Sequence, residues 1–518
     1  MKILLAYISG VPTRHDPYIS LLPTGVCSLH AFLRNAGYNT VLANLSAWST
    51  TEIKQQLSDL KPDIIGISQW THNRHASMEL ARLVRNEVPD STIVMGGAHA
   101  TFSCSDILRK GSPVDCVVLG EGEETLLEIV RSCEKDLEWR EVHGIAYYDD
   151  REIVYTSPRA PLQNLDQLPY TSRFLEHSIG VDIPLQSEFI ITTRGCPSAC
   201  YFCSSPRFWE RKVRFRSPEN IVNEIELIQS KYGLIYFSLR DDTFTADRTR
   251  TIEFCRLLLE RRLYVLWNCQ SRVSTLDEEL LVWMKRAGCE CIQLGVESGS
   301  QRILTQLGKT ITSAQVEKAA GLIRKVGINL SIYLITDVPG ETEDDVRQTI
   351  ELVRRIRPND GYVSPLAFFP GTRLFEEAVA SGRVGRNIFE INTDTAVFAV
   401  EKRGGNSRRL LRHLGKGAPE YATYFQDQKR LLGYCYTTNV LAGEFFRQSG
   451  DQSAAEREFR EITDCEPGNP WGWYLLGDLF NEIGRASKAA ECYRMVCGIV
   501  PEHVPSRQAL KKSKKTGP

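Results

Sequence analysis

Cys196, Cys200 and Cys203 stand at Cys-x-x-x-Cys-x-x-Cys spacing in the run Thr193-Arg194-Gly195-Cys196-Pro197-Ser198-Ala199-Cys200-Tyr201-Phe202-Cys203. Three thiolates so close in sequence can wrap one cuboidal iron–sulfur cluster. A fourth cysteine at matching spacing is absent. One iron of a 4Fe–4S cluster would then keep a position for a small molecule. A structural zinc site normally closes its coordination with four protein ligands, so the incomplete set argues against zinc. The triplet also lies between a strand-like run and a polar turn, the context of a site rather than of packed cysteines.

Other chemistry-bearing residues recur at the ends of short apolar runs. Leu234 to Leu239 leads into Arg240-Asp241-Asp242-Thr243-Phe244, and Tyr264 to Cys269 is followed by Arg272. Cys291 to Val296 leads into Glu297-Ser298-Gly299-Ser300. Ile328 to Ile335 precedes Asp337-Val338-Pro339-Gly340-Glu341-Thr342, and Tyr362 to Phe368 precedes Phe369-Pro370-Gly371-Thr372. With Glu188 to Thr193 these make six strand–helix units, an incomplete barrel rather than a full eight-fold one. Parallel barrels place their chemistry at the carboxyl ends of the strands. Ser217-Pro218-Glu219 predicts a capped helix start, with Ile221, Ile225 and Ile228 on its apolar face.

The triplet and these ordered segments resemble the radical S-adenosylmethionine (SAM) superfamily, over most of residues 188–385. The resemblance implies that Cys196, Cys200 and Cys203 ligate the cluster and that SAM chelates the open iron. Reductive cleavage of SAM then gives methionine and a 5′-deoxyadenosyl radical. Phe202 takes the place of the ring near adenine, Arg194 and Gly195 shape the loop entrance, and Phe369 to Thr372 also matches a segment near adenine. Asp241 and Asp242 stand as acceptors for the SAM ammonium, or as helix-capping residues. Arg272 is a bidentate partner for the SAM carboxylate, or half of a surface salt bridge. Glu297 matches the carboxylate that accepts the ribose hydroxyls. Thr342 reads as a helix cap.

Residues 1–150 alternate short buried-type strands with helical patterns. The strands read as Ile3 to Ile8, Asp63 to Ser68, Thr92 to Met95 and Cys116 to Leu119, with a helix from Gly25 to Asn35. This predicts an α/β, doubly wound parallel sheet of Rossmann-like type. Its ligand loops lie beyond the carboxyl ends of the strands, at Ser9 to Ser20, Gln69 to His75, Gly96 to Ala100 and Gly120 to Glu123. No Gly-x-Gly-x-x-Gly follows the first strand, which argues against a nicotinamide cofactor. Pro23-Thr24-Gly25, Gly96-Gly97-Ala98-His99-Ala100-Thr101 and Gly120-Glu121-Gly122-Glu123 resemble the cobalamin-binding domain that precedes many radical SAM domains. Gly96 and Gly97 let the backbone approach a bulky ligand. The Asp-x-His-x-x-Gly motif that supplies a histidine to cobalt is missing, so His72, His75 and His99 read as loop or packing residues.

The 518 residues are enough for three domains, and a formal net charge of −1 gives no sign of a nucleic-acid binder. Fifteen cysteines without an export signal point to a reducing, cytoplasmic setting, and no apolar run is long enough to span a bilayer. Residues 151–187, punctuated by Pro158, Pro161, Pro169 and Pro184, read as a linker. Residues 386–435 form an extension. Its stretch Lys402 to Lys416 reads as a solvated loop or an anion clamp through Arg408, Arg409 and Arg412, and a helix is expected from Tyr421 to Cys435. From 436 to 505 a repeat of period 34 pairs Leu441 with Leu475, Gly443 with Gly477, Gly450 with Gly484 and Pro467 with Pro501. This small all-α region resembles tetratricopeptide repeats, which implies a peptide or protein partner or else a helical cap. The tail 506–518 reads as basic and disordered. Cys289, Cys291, Cys465, Cys492 and Cys497 read as small buried residues.

Together these readings point to a cobalamin-dependent radical SAM methyltransferase. In the mechanism the resemblance implies, one SAM re-methylates cobalamin and a second generates the radical. The target is an unactivated carbon or a phosphinate phosphorus, on an unknown substrate with a tilt towards peptides or carrier-bound molecules. Flavodoxin or ferredoxin would supply the electron. The alternatives are radical rearrangement or cyclisation without methyl transfer, and a non-catalytic cluster-bearing scaffold. Methylthiolation is disfavoured, because no second cysteine triplet precedes the barrel.

Overall fold

The computed structural model describes residues 1–10, 21–390, 393–400, 405–415 and 423–515. The loop after the first strand beyond Gly10, Lys402, Lys416 and Tyr421 lie outside the described residues. The chain divides into two compact units: Met1–Ser187 with Arg194–Phe215 and Leu366–Glu401, and Glu188–Thr193 with Arg216–Pro365 and Lys402–Pro518.

The first unit is built on an eight-stranded sheet: β1 (Lys2–Tyr7), β2 (Asn39–Asn44), β3 (Ile64–Ser68), β4 (Thr92–Gly96), β5 (Cys116–Val118), β6 (Ile145–Asp149), β7 (Glu152–Tyr155) and β8 (Ser178–Ile179). Its order is β7-β6-β5-β4-β3-β1-β2-β8. Only the β5–β6 and β6–β7 pairs are antiparallel. The central strands are near-continuous apolar runs because both faces are covered, as parallel sheets require. Leu4, Ala6, Ile65, Ile67, Ile93 and Met95 pack on one face, and Ile3, Leu5, Tyr7, Ile64 and Val94 on the other. Strand order switches direction at β1 and β3, so the crevice of this doubly wound sheet lies at their carboxyl ends. The stretch 151–187 does more than link, since β7 and β8 both belong to this sheet. Short strands flanked by prolines carry too little periodicity to be seen in sequence.

In the second unit β9 (Phe189–Ile190), β12 (Tyr236–Leu239), β13 (Leu266–Ser271), β14 (Cys289–Glu297), β15 (Asn329–Thr336) and β16 (Asp360–Pro365) form an open parallel sheet. Its order is β16-β15-β14-β13-β12-β9. Between β9 and β12 lie the short strands β10 (Thr193–Arg194) and β11 (Arg214–Phe215), paired as a separate two-stranded ribbon. The expected first barrel strand, Glu188 to Thr193, is therefore split into β9 and the start of β10. Ser217 caps the helix Pro218–Tyr232, with Pro218 in its first turn and Gly233 ending it at φ 71°. Phe244, Phe254 and Trp267 pack edge to face, with centroids 5.4–5.6 Å apart, under the sheet. The segment Leu366–Glu401, whose first part the sequence places in the barrel, groups instead with the first unit.

Helices Tyr436–Gln448, Gln452–Cys465, Pro470–Glu482 and Ala486–Ile499 complete the second unit. A Cβ on Gly443 would lie 2.1 Å from the Phe459 ring, and one on Gly477 would lie 2.7 Å from the Tyr493 ring. Each glycine therefore lets two helices approach, and the same contact recurs in both halves of the repeat. These helices pack on the barrel: the Tyr436 hydroxyl donates to the Val265 carbonyl at 2.8 Å. The structure departs from three expectations. The basic stretch is helical over Gly405–Leu411, where Leu410 is buried, and the tail continues as a helix over Val504–Lys515. Cys465 is exposed rather than buried, because it falls on the outer face of its helix.

Candidate functional site

The loop between β10 and β11 carries the cysteine triplet. Gly195 opens it at φ 108°, and a Cβ there would stand 1.9 Å from the Lys212 carbonyl oxygen. Only glycine permits this crossing of the loop's two roots. Cys196, Cys200 and Cys203 are half-buried, and none is in a disulfide. The Cys203 amide donates to the Cys200 carbonyl at 3.4 Å, turning the chain between the last two thiols. Phe202 is half-buried beside them. On the other side of the chain the Tyr201 carbonyl accepts from the Leu374 amide at 2.8 Å, and the Arg373 guanidinium stacks 3.9 Å from the Tyr201 ring. The segment past the barrel thus braces the loop.

The donor set fits an iron–sulfur cluster. Three soft thiolates stand on one loop, and between them the Ser198 hydroxyl oxygen is buried with no hydrogen-bond partner among the described residues. No group of three or more His, Cys, Asp or Glu is gathered to hold a single metal ion among the described residues. A mononuclear site would need such a group, whereas a cubane spreads its thiolates over different irons.

The neck of this loop is closed by charge. Arg194, on β10, donates to Glu121 at 2.6 Å and to Glu123 at 2.5 Å. Arg214, on β11, donates to the other Glu121 oxygen at 2.7 Å and to the Leu162 carbonyl at 2.5 Å. Glu121 also accepts from the Leu162 amide at 2.9 Å, and Glu123 from the Ser28 hydroxyl at 2.6 Å. The four charged side chains are 3–12% exposed. Burial alone would raise the Glu123 carboxyl, but the Arg194 charge and these hydrogen bonds outweigh it and hold it below the usual range. In sequence, Gly120-Glu121-Gly122-Glu123 carries only a domain resemblance, and Arg194 stands as part of the loop entrance. Arg214 carries no sequence signal.

At the carboxyl edge of the first sheet, a Cβ on Gly97 (φ 115°) would lie 2.4 Å from the Gln69 carbonyl. Gly97 thus admits the neighbouring loop, while Gly96 has ordinary space, with Val118 at 3.7 Å. Two buried polar atoms at this edge, Ser9 Oγ and Gln69 Oε1, have no partner among the described residues. They are suited to a polar ligand at the crevice. The histidines are otherwise engaged: His72 Nε2 lies 2.9 Å from the Tyr7 hydroxyl, and His99 Nδ1 lies 3.1 Å from the Thr71 hydroxyl. Burial pushes His99 down to about 3, so it stays neutral. Asp394 accepts from the His75 and Ala76 amides at 2.7 and 3.2 Å and so caps the helix Arg74–Glu87 from a distant part of the chain.

In the barrel, the adjacent aspartates of the Arg240–Phe244 motif part company. Asp241 is buried and accepts from the Thr192 and Thr193 amides at 2.6 and 2.8 Å and from the Thr192 hydroxyl. Burial raises its carboxyl, against the pull of Arg250 and these donors. Its oxygens are thus committed to the end of the first barrel strand, which corrects the expectation that it accepts an ammonium. Asp242 is exposed. Arg272 is half-buried and makes no ion pair among the described residues. Thr342 caps the helix Glu343–Ile356 in a reciprocal capping box with Asp345, as expected.

Glu297 closes β14 with φ 64°, at a register irregularity between Gly295 and Glu297. A non-glycine residue rarely adopts this conformation, and such strain is tolerated where surrounding structure imposes it. Its buried carboxylate pairs with Lys309 at 2.9 Å, and Lys309 also donates to the Gly295 carbonyl at 3.0 Å. Lys309 carries no sequence signal, because it follows the next helix. On the adjacent strand Asp337 repeats the pattern at φ 58°.

Residues 190–353 match the Radical SAM superfamily model, and residues 18–130 match the B12 binding domain model. An anaerobic magnesium-protoporphyrin IX monomethyl ester cyclase of Rubrivivax gelatinosus is 31% identical over 93% of this chain and 88% of its own length. The uncharacterized methyltransferase PH0819 of Pyrococcus horikoshii is 30% identical over 69% of this chain and 79% of its own. The cobalamin-dependent radical enzyme OxsB, solved with aqua-cobalamin and SAM, shares the fold at a TM-score of 0.65 and 17% identity, covering 99% of this chain and 83% of that one. No helix among the described residues is long and apolar enough to cross a membrane. With a B12-binding domain, a thiolate loop and an open barrel in one sequence, the chain belongs to the radical SAM superfamily as an enzyme of a 4Fe–4S cluster, SAM and cobalamin.

Proposed function

We propose that this enzyme transfers a methyl group to an unactivated carbon, or to a phosphinate phosphorus, of its substrate. One observation carries the reading: the cysteine loop Arg194–Phe215 belongs to the same compact unit as the B12-type sheet. When bound, the cluster and cobalamin supply radical generation and methyl delivery. Cys196, Cys200 and Cys203 hold the cluster, and Ser9, Gln69 and the Gly96–Gly97 turn border the corrin. Asp242 receives the SAM ammonium, Arg272 its carboxylate and Glu297 the ribose hydroxyls, with Phe202 against the adenine. Asp241 orients the strand end that precedes the cysteine loop.

A flavodoxin or ferredoxin donates the electron in the cytoplasm, where fifteen cysteines stay reduced. The paired helices from Tyr436 to Ile499, similar in period to tetratricopeptide repeats, hold a peptide or carrier-protein partner. The second reading, radical cyclisation without methyl transfer, is supported by the R. gelatinosus cyclase, whose similarity spans 93% of this chain.

Anaerobic reconstitution with iron, sulfide and hydroxocobalamin, followed by desalting and spectroscopy, tests the proposal. Retention of cobalamin beside one cluster, with methyl-labelled SAM delivering label to product, is expected. Cysteine-to-serine change at Cys200 should abolish both cluster absorbance and SAM cleavage. A cluster without cobalamin would overturn the methyl-transfer mechanism. Deoxyadenosine formation with unlabelled product would favour cyclisation.

A further inference from the structure

The charged neck at the root of the cysteine loop has a consequence for catalysis that rests on the function proposed above. Glu121 is the hinge pin. One of its oxygens takes Arg194, which precedes the cysteines, and the other takes Arg214, which follows them. A single carboxylate therefore bridges both strands from which the loop grows. Glu121 itself sits at the carboxyl edge of the first sheet, in the turn between β5 and the helix Glu123–Glu134. Glu123, two residues on, takes the second arm of the Arg194 fork, and Ser28 ties that carboxylate to the helix Thr24–Asn35. The loop is thus bolted to two elements of the first sheet's layer, the turn after β5 and the helix Thr24–Asn35.

Burying charges costs several kcal/mol per ion, a penalty offset only when geometry and hydrogen bonding are nearly complete. Fold stability alone gives no reason to bury four charges, since apolar packing of equal volume holds a loop as well. A planar guanidinium fork does offer what apolar packing lacks, a fixed direction as well as a fixed distance.

We propose that Glu121 is a positioning residue for the reaction: with Arg194, Arg214 and Glu123 it sets the separation of the cluster from the corrin. The radical-generating and methyl-carrying centres are then held in one rigid unit, before and independently of substrate. Supporting groups that hold a site within about 0.5 Å commonly allow errors near 1 Å when they are lost. Misplacement of that size costs about 100-fold in rate.

The experiment is pulsed electron paramagnetic resonance on the full-length enzyme, reconstituted with both cofactors and poised with the reduced cluster and cob(II)alamin. Wild type should give a narrow cluster-to-cobalt distance distribution. Glu121→Gln should broaden it by about 1 Å while cluster and cobalamin contents stay at wild-type levels. Arg214→Met removes only one arm and should give a smaller broadening, and it serves where the glutamine variant does not fold. Arg194→Lys keeps the charge but loses the fork, and should resemble the loss of one arm. Unchanged distributions in variants that load both cofactors would overturn the proposal and leave the network as structural only. Failure of the wild type to load cobalamin would instead overturn the functional reading on which the proposal depends.

Discussion

The cysteine loop and the strand ends of the barrel present their chemical groups by opposite means. The loop is irregular and half-buried, and its direction is imposed from outside by Glu121, Glu123 and the Arg373 contact. The barrel ends carry their groups on the strands themselves, with only the local Lys309 contact beside Glu297. Glu297 and Asp337 follow rigid strands and are turned by their own backbone, each at positive φ. A set of ligands on a loop must borrow rigidity, whereas a carboxylate on a strand can be aimed by one strained residue. Failures in the two regions should therefore look different: a misplaced or lost cluster in one, loss of affinity in the other.

The largest effect should come where the loop has no freedom to yield. In Gly195→Ala the new methyl meets the Lys212 carbonyl at 1.9 Å, in a backbone conformation that alanine resists. The loop must open, and cluster absorbance after reconstitution should be lost while most of the chain stays folded. Gly25, by contrast, stands in the first turn of a helix, where an added Cβ would meet nothing within 4 Å, so Gly25→Ala should leave the cluster intact. Equal cluster content in the two variants would show that the crossing of the loop roots does not matter.

On the barrel side, Glu297 and Lys309 form a buried pair. Removing one partner of such a pair strands the other charge and costs about 3–5 kcal/mol. Glu297→Gln and Lys309→Met should each lower the melting temperature strongly, while the double variant should recover most of the loss. SAM affinity, read by isothermal titration, should stay weak in the double variant, because on the proposed reading the uncharged amide keeps one acceptor oxygen for the two ribose hydroxyls. Recovery of affinity together with stability would remove Glu297 from the SAM site.

Asp241 and Asp242 sharpen the comparison to neighbouring residues. Asp241→Asn disturbs a buried set of donors and should cost about 1–3 kcal/mol in stability. Asp242→Asn, on an exposed side chain, should leave stability within about 0.5 kcal/mol and weaken SAM about tenfold. The opposite assignment of effects would reverse their roles.

Much of this arrangement could be read from residue order, because local constraints write it there. The cysteine spacing, the six apolar runs and the acidic residues ending them are short-range patterns, and each fell on a strand or its end. What escaped was decided by contacts far apart in the chain. Nothing in Arg214 distinguishes it from an exposed arginine until Glu121 is placed opposite. The aspartate pair reads as two equal acceptors until the backbone turn buries one against Thr192. Asp394 similarly caps a helix begun more than three hundred residues earlier. The two short strands within 151–187 were hidden for a different reason, since β8 has only two residues to show a period.

The smallest expected effect compares the two units under acid. Burial pushes His30 down to about 4 and His99 down to about 3 in the first unit, and His503 down to about 4 in the second. A histidine depressed in the folded state contributes stability that is complete above its unfolded value near 6.5 and is lost as pH falls towards the folded value. At pH 5.5 each such group should have cost about 1 kcal/mol relative to pH 7.5. The first unit holds two of these strongly shifted histidines and a third, His72, lowered by burial as well. Its calorimetric transition should therefore move further between those pH values than that of the second unit. His30→Gln and His99→Gln should flatten the first unit's dependence and leave the other unchanged. Equal movement of both transitions in wild type, or a slope that survives the substitutions, would assign acid sensitivity to carboxylates instead. The charged neck offers the counter-test, since Glu123 is held below the usual carboxylate range and should stay ionised through the same interval. The cluster-to-cobalt distance distribution should accordingly stay narrow at pH 5.5 even as the first unit weakens, because Glu123 keeps its charge and its hold on Arg194 through that interval.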